Sequence, residues 1–266
     1  MEHIEGKSQS NPSANRRDPR LYHIASLGTL LAYGLFWLHF DLSLWQIAVT
    51  IGTALLTQYA GTRYAKLPCF DPKSALISSL SLCILLRTDH LAIAALASVV
   101  AIGSKFVFRW NDKHLVNPTN LALAIALASG MGWISPGQWG QVAWFGFLIA
   151  CLGSLVVTRA ARADVTFAFL AVYVGLLFAR ALWLGDPLTI PFHQIESGAL
   201  LIFAFFMISD PKTTPDSRAG RIVYALCVAL VALYVQFELF RPNGPLWGLI
   251  ACTPLVPVLN QLFPGA

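Results

Sequence analysis

Charge is what this chain of 266 residues has least of: 12% of its side chains are charged, against 56% hydrophobic. A soluble domain carries about 25% charged residues, so there is about half the usual polar coat, and a water-soluble globule is excluded. Zinc and iron–sulfur frameworks are missing too. The five cysteines (Cys69, Cys83, Cys151, Cys227 and Cys252) include no CxxC pair, and most sit inside apolar runs as small buried side chains. No Walker loop, GxGxxG, GxSxG or HExxH occurs, so no soluble-enzyme chemistry is indicated. The net charge of +5 is spread over short loops and implies no nucleic-acid partner.

What is present is a succession of apolar runs, at about 22–40, 43–60, 74–87, 90–108, 118–133, 140–158, 164–184, 192–209, 221–239 and 245–263. They predict an all-α integral membrane protein of about ten spans. A polar segment, residues 1–21, precedes them and reads as a disordered cytoplasmic tail. No small-residue cleavage site follows the first run, which is therefore read as a retained helix. The runs at 74–87 and 118–133 are short for a bilayer, and each opens on a proline, Pro72 or Pro118. Short, proline-opened segments suit broken or half helices held inside a bundle.

The cations support this count. With a cytoplasmic N-terminus, Lys7, Arg16, Arg17, Arg20, Arg63, Lys66, Lys73, Lys105, Arg109, Lys113, Arg159, Arg162, Lys212, Arg218 and Arg221 fall on one side. Arg87, Arg180 and Arg241 fall on the other. Fifteen against three is the asymmetry of the positive-inside rule, and it places both termini in the cytoplasm, with a bacterial inner membrane as the expected location. An internal similarity accompanies it. Ala75-Leu76 aligns with Ala199-Leu200, and Asn117-Pro118 falls near Asn243-Gly244-Pro245, an offset of about five spans. An odd number of spans per copy implies two inverted repeats in one membrane domain, about 22–133 and 140–263.

Polar residues within or beside these runs are the candidate site. Asp71-Pro72-Lys73-Ser74 reads as a capped helix start. Asn117-Pro118-Thr119-Asn120 reads either as the same device or as a half-helix N-terminus turned toward a polar ligand. His193, Gln194, Glu196 and Ser197 are the densest polar opening of any apolar run, and Glu196 sits either solvated at the interface or paired inside. Asp164 and Arg180 stand at opposite ends of the seventh run and are expected to reach the interfaces. The stretch "FFMISDPKTTPDSRAGRIVY", residues 205–224, breaks the chain's apolar character. Its Thr214 or Asp216 is expected to cap the next helix, with Arg218 and Arg221 as anchors.

That stretch also carries a resemblance. With the residues before it, it is similar to the RnfD/NqrB family, whose members are membrane subunits of Rnf complexes and of Na⁺-translocating NADH:quinone reductases. The family has an SGG-L-L-like helix, then A-T-D-P-x-T-S-P and G-R-x-x-Y/F. The matching positions are Ser197, Gly198, Leu200, Asp210, Pro211, Thr213, Pro215, Gly220, Arg221 and Tyr224. A second match, to G-K-x-x-F…N-x-F-N-P-A-x-x-A, falls on Lys105, Phe108, Asn117, Pro118 and Ala122. The resemblance covers about residues 20–263 and implies ten spans in two inverted halves. It further implies an electron-transport role alongside other membrane or redox subunits in the lipid bilayer, and a flavin.

One departure is chemical. The family attaches FMN by a phosphoester to the threonine of S-G-A-T in a loop after the fifth span. Here that loop, "SGMGWISPGQWG" at 129–140, has no threonine, and Ser197-Gly198-Ala199-Leu200 has leucine where the hydroxyl is needed. Covalent FMN is therefore expected to be absent. A noncovalent flavin, FMN or riboflavin, remains, for which Asn117, Thr119, Asn120, Glu196, Ser197, Asp210 and Thr213 are the candidate residues. Trp133, Trp139, Trp144 and Trp247 are either walls for its ring or an interfacial belt. The competing expectations are a small-solute permease or channel on the same scaffold, with redox function lost, and a purely structural component of a complex.

Overall fold

The computed structural model describes residues 18–110, 113–134 and 143–264. The expected tail up to residue 17 and residues 135–140 of the loop without threonine lie outside the described residues.

The apolar runs become helices, and most start where a short polar side chain meets the free N–H groups of a first turn. Asp18 accepts from Arg20 N at 3.0 Å and opens α1 (Pro19–Phe36). The polar character of residues 18–21 is thus a cap and a first turn. Ser43 opens α2 (Leu44–Tyr64), accepting from Gln46 N at 3.0 Å. Asp71 opens α3 (Pro72–Leu85), accepting from Lys73 N, and α4 (Leu91–Val107) follows. A two-residue antiparallel hairpin, β1 (Arg109–Trp110) with β2 (Lys113–His114), then leads to α5 (Pro118–Ala128). Asn117 caps α5 by accepting from Asn120 N at 3.0 Å.

Next come α6 (Ala143–Arg159) and α7 (Ala163–Leu184), which ends on the left-handed Gly185. Two short helices, α8 (Thr189–Ile195) and α9 (Gly198–Ile202), follow, and α9 runs on into a π-helical turn at Phe203–Met207. The last three are α10 (Arg218–Phe237), α11 (Gly244–Cys252) and α12 (Leu255–Leu262). The cap of α10 is Ser217, which accepts from Gly220 N at 3.1 Å, rather than Thr214 or Asp216. Both of those side chains have other partners: Thr214 bonds to Asp210 O, and Asp216 pairs with Lys113.

The result is an all-α integral membrane protein. Two helices, α7 and α10, are each long and apolar enough to cross a bilayer. Two bent pairs reach that length together: α8 with α9 and its π turn, bent by 53°, and α11 with α12, bent by 57°. Shorter apolar helices are α3, α4, α5 and 144–159.

Packing follows from small side chains and from the need to satisfy backbone groups where no water reaches. α2 lies along α3 and α4, α7 along α10, α10 along α11, and α5 touches both α4 and α11. Ser98 Oγ donates to Thr50 O at 3.1 Å, joining α4 to α2. Around the irregular backbone of residues 203–207, Thr166 Oγ1 donates to Ala204 O at 2.7 Å and Asn117 Nδ2 donates to Met207 O at 3.3 Å. Asn120 Nδ2 donates to Leu246 O in α11 at 3.0 Å. One apolar core connects these layers, from Leu27 through Phe169 and Phe203 to Leu259.

Among the described residues, glycines come closest to another helix's backbone between α10 and α11. A Cβ at Gly248 would lie 2.7 Å from Val228 O and 3.0 Å from Ala232 N, and one at Gly244 would lie 2.3 Å from Ala232 O. Gly248→Ala is therefore expected to destabilise the protein by about 1–3 kcal/mol, as overpacking against backbone does. In detergent its thermal midpoint should fall well below that of wild type. Gly52→Ala in α2, where the added methyl meets nothing within 4 Å, should leave the midpoint unchanged or raise it.

Candidate functional site

Among the described residues, two cavities that enter the bundle share one wall. The first, of about 390 Å³, lies where the first turns of α1, α3 and α5 meet the hairpin and the turn after residue 207. The second, of about 270 Å³, lies between α7, α8–α9, α10 and the start of α11. Met207 lines both.

The first cavity is the charged one. Lys105, on the last turn of α4, is only 5% exposed and donates from Nζ to Ser74 O at 2.8 Å and to Ser74 Oγ at 3.0 Å. An ammonium held so deep needs such partners, because desolvation alone would expel it. At the mouth, Asp18 and Asp71 both pair with Arg20, and Lys73 Nζ reaches Asp18 at 2.8 Å. These cations, Lys73 first and then Arg20, hold the Asp18 carboxyl well below the usual carboxylate range. Asp210 has the opposite shift: burial raises its carboxyl, and the Lys212 N–H, Lys105, Lys212 and Arg162 oppose that rise. His114 lines the cavity from the hairpin, and burial, followed by the nearby cations Lys105, Arg109 and Lys212, pushes its imidazole down to about 4. Two buried ring nitrogens here, His23 Nε2 and His114 Nδ1, have no hydrogen-bond partner among the described residues. Phe206, Met207, Ile77 and Val156 supply apolar walls.

The Asp-Pro-x-Thr-x-Pro segment forms the rim as a self-bonded turn. Asp210 O accepts from Thr213 N at 3.1 Å and from Thr214 Oγ1 at 3.0 Å, while the Asp210 side chain accepts from Lys212 N at 2.9 Å. Beyond it, Lys113 Nζ pairs with Asp216 and donates to Thr214 O at 3.2 Å, strapping the hairpin to this turn. Arg221 grips Asp164 through Nε at 2.8 Å and 2.9 Å and through Nη2 at 2.6 Å, a bidentate pair nearly out of solvent. Arg180, at the far end of α7, pairs with Asp186 at 3.6 Å and lies over the Phe237 ring.

The seven residues singled out from sequence divide into groups. Asn117, Thr119 and Asp210 line the charged cavity, and Thr213 is buried in the turn behind Asp210. Asn120 sits one turn deeper, fully buried, with its Oδ1 unpartnered. Ser197 lines the second cavity. Glu196 lines neither: it ends α8 with its side chain 55% exposed, 3.7 Å from His193. None of Trp133, Trp144 and Trp247 lines either cavity, and Trp139 lies outside the described residues. Phenylalanines of the π turn take the wall positions instead. Lys105 stood out in the sequence only as a loop cation and a motif match, and His114 did not stand out at all. The one local signal was a lysine in helical phase with the small residues Ala97, Ala101 and Ser104, which puts it on the buried face of α4.

The family model described as NQR2, RnfD, RnfE matches residues 129–265. Among curated proteins, the D component of the ion-translocating oxidoreductase complex of Erwinia tasmaniensis is 30% identical over 138 residues, which is 50% of this chain and 36% of that protein. Its counterpart from Mannheimia succiniciproducens is 30% identical over 86 residues, 32% of this chain and 24% of that protein. That from Escherichia coli (strain SMS-3-5) is 27% identical over 136 residues, covering 50% and 36%. The chain spans about a third of the length of the curated relatives it matches. The motif around Lys105 and Asn117 precedes the matched span and rests on its own residues.

His114 makes stability depend on pH. The folded protein protonates this imidazole only near 4, whereas the unfolded chain does so near the ordinary 6.5. The unfolded state therefore binds more protons between these values, and stability falls as pH drops from 6.5 toward 4. His114→Phe removes the linkage, so the wild-type thermal midpoint is expected to fall more steeply than that of the variant across this window.

Proposed function

The chain belongs to the NQR2, RnfD, RnfE family, and from that footing we propose that it works as a membrane subunit of an ion-translocating electron-transport complex. Its charged cavity holds a noncovalent flavin, FMN or riboflavin. The observation that carries this reading is the cavity of about 390 Å³, with Lys105, Thr119 and Asp210 as polar contacts beside the apolar walls Phe206 and Met207. An isoalloxazine ring needs that combination: flat apolar walls, with donors and acceptors along one edge. His23 Nε2 and His114 Nδ1, without a hydrogen-bond partner among the described residues, are buried polar atoms such a ligand would satisfy. When bound, a flavin supplies one- and two-electron transfer. The chain's own residues orient it, exclude water and balance its charge.

In this reading the ten apolar segments are ten crossings in two inverted halves, about 22–133 and 140–263, in a bacterial inner membrane with both termini in the cytoplasm. Like packing in the two halves supports it: α2 lies along α4 as α7 lies along α10, and α4 meets α5 as α10 meets α11. The cation asymmetry read from sequence supports the orientation, and the relatives' names, as components of a complex, support partner subunits.

A second reading has its own support. Two cavities entering the bundle and separated at Met207 are also the layout of a solute path, so a permease or channel remains the alternative.

Detergent-purified protein is expected to release flavin on denaturation, seen by absorbance and fluorescence. Lys105→Met should weaken its retention about tenfold or more, the equivalent of a charged hydrogen bond worth roughly 1.5–3 kcal/mol. A colourless wild-type preparation that takes up neither FMN nor riboflavin would sink the flavin reading. Solute uptake by proteoliposomes containing only this chain would favour the second.

A further inference from the structure

The second cavity differs in chemistry from the first. Among the described residues, no Asp, Glu, Lys or Arg lines it. Its polar groups are amides and hydroxyls, Gln194, Ser197, Tyr173, Gln236 and Asn243, with the His193 imidazole at the edge, its side chain 65% exposed and 3.7 Å from Glu196. Tyr173 Oη donates to Gln236 Oε1 at 2.7 Å, bridging α7 and α10 inside the bundle. That bond uses the phenol proton and one amide oxygen. The two Gln236 Nε2 hydrogens remain available to a carbonyl, and the Tyr173 oxygen remains available to a donor. Against these stand Leu200, Phe203 and Leu246.

We infer that this cavity binds a neutral, single-ring small molecule bearing a carbonyl or amide group, separately from whatever the charged cavity holds. Three features select the class. A volume of about 270 Å³ lies at the lower end of the ~300–1,000 Å³ of small-molecule sites. The buried part of the lining carries no charge and its one imidazole, His193, sits at the exposed edge, so a charged ligand seated against Tyr173 and Gln236 would lose its hydration uncompensated. Paired amide and phenol groups reward a ligand that both accepts and donates. The absence of a lining Lys or Arg among the described residues also disfavours the phosphate of a lipid headgroup.

The test uses three nearly isosteric probes that differ in charge: benzamide, benzoate and benzamidinium. Each is titrated by saturation-transfer NMR onto the full chain in detergent, with empty micelles as reference. Benzamide is expected to bind saturably, and both ions about tenfold or more weaker, as unpaired charge in an apolar site requires. Tyr173→Phe, which keeps the ring and removes the hydroxyl, should weaken benzamide several-fold, and Leu200→Phe, which fills the cavity, should abolish its binding. Equal binding of the three probes to wild type overturns the inference without any variant. So does toluene binding as tightly as benzamide, which would mark the cavity as a groove for acyl chains. Persistence of benzamide binding in folded Leu200→Phe protein overturns its location.

Discussion

Backbone carbonyls inside an apolar bundle must find donors, and the irregular segments of this protein depend on that constraint. The π turn at Phe203–Met207 and the short α11 present carbonyls to neighbouring helices. Side chains of α5 and α7 meet them: Asn117 bonds to Met207 O, Asn120 to Leu246 O, and Thr166 to Ala204 O. Asn117 serves twice, because its Oδ1 also caps α5. The start of one short helix and the irregular stretch of a distant segment are thereby held by the same side chain. The cavities open beside these joints, where the chain departs from regular helix and leaves room that straight, close-packed helices would fill.

Charge is sorted along the molecule with similar economy. The Asp18–Arg20–Asp71–Lys73 group, the Lys113–Asp216 strap and the Arg221–Asp164 pair all sit at helix starts or turns at one end. Within the bundle the polar contacts are mostly hydroxyl or amide groups on backbone carbonyls, such as Ser98 on Thr50 O. Lys105 stands between these regimes: an ionisable group on a buried helix face, held by Ser74 and set at the inner edge of the charged end. Buried, partnered and lining a cavity, it joins the charged end to the neutral interior.

Local chemistry was legible in the sequence, and long-range partnership was not. Asp71-Pro72 and Asn117-Pro118 announced helix starts because a cap followed by proline at the first helical position has a local cause. The turn after Ser209 was legible for the same reason, since Asp210, Thr213 and Thr214 bond within five residues. The bond from Asn117 to Met207 spans 90 positions, and no spacing rule reaches that far. Nor does any rule distinguish a belt tryptophan from a cavity wall, so phenylalanines of the π turn went unnoticed. The bends between α8 and α9 and between α11 and α12 were not legible, because each pair taken together is apolar enough to cross and hydropathy carries no signal for direction.

Met207 has a consequence of its own. One unbranched side chain bounds two chambers of opposite polarity, while its backbone oxygen is tied to Asn117. The main chain is therefore fixed, and the thioether keeps three torsions of its own. A rotamer that swings the thioether toward one chamber takes space from that chamber, so an occupant on either side meets a wall that can yield.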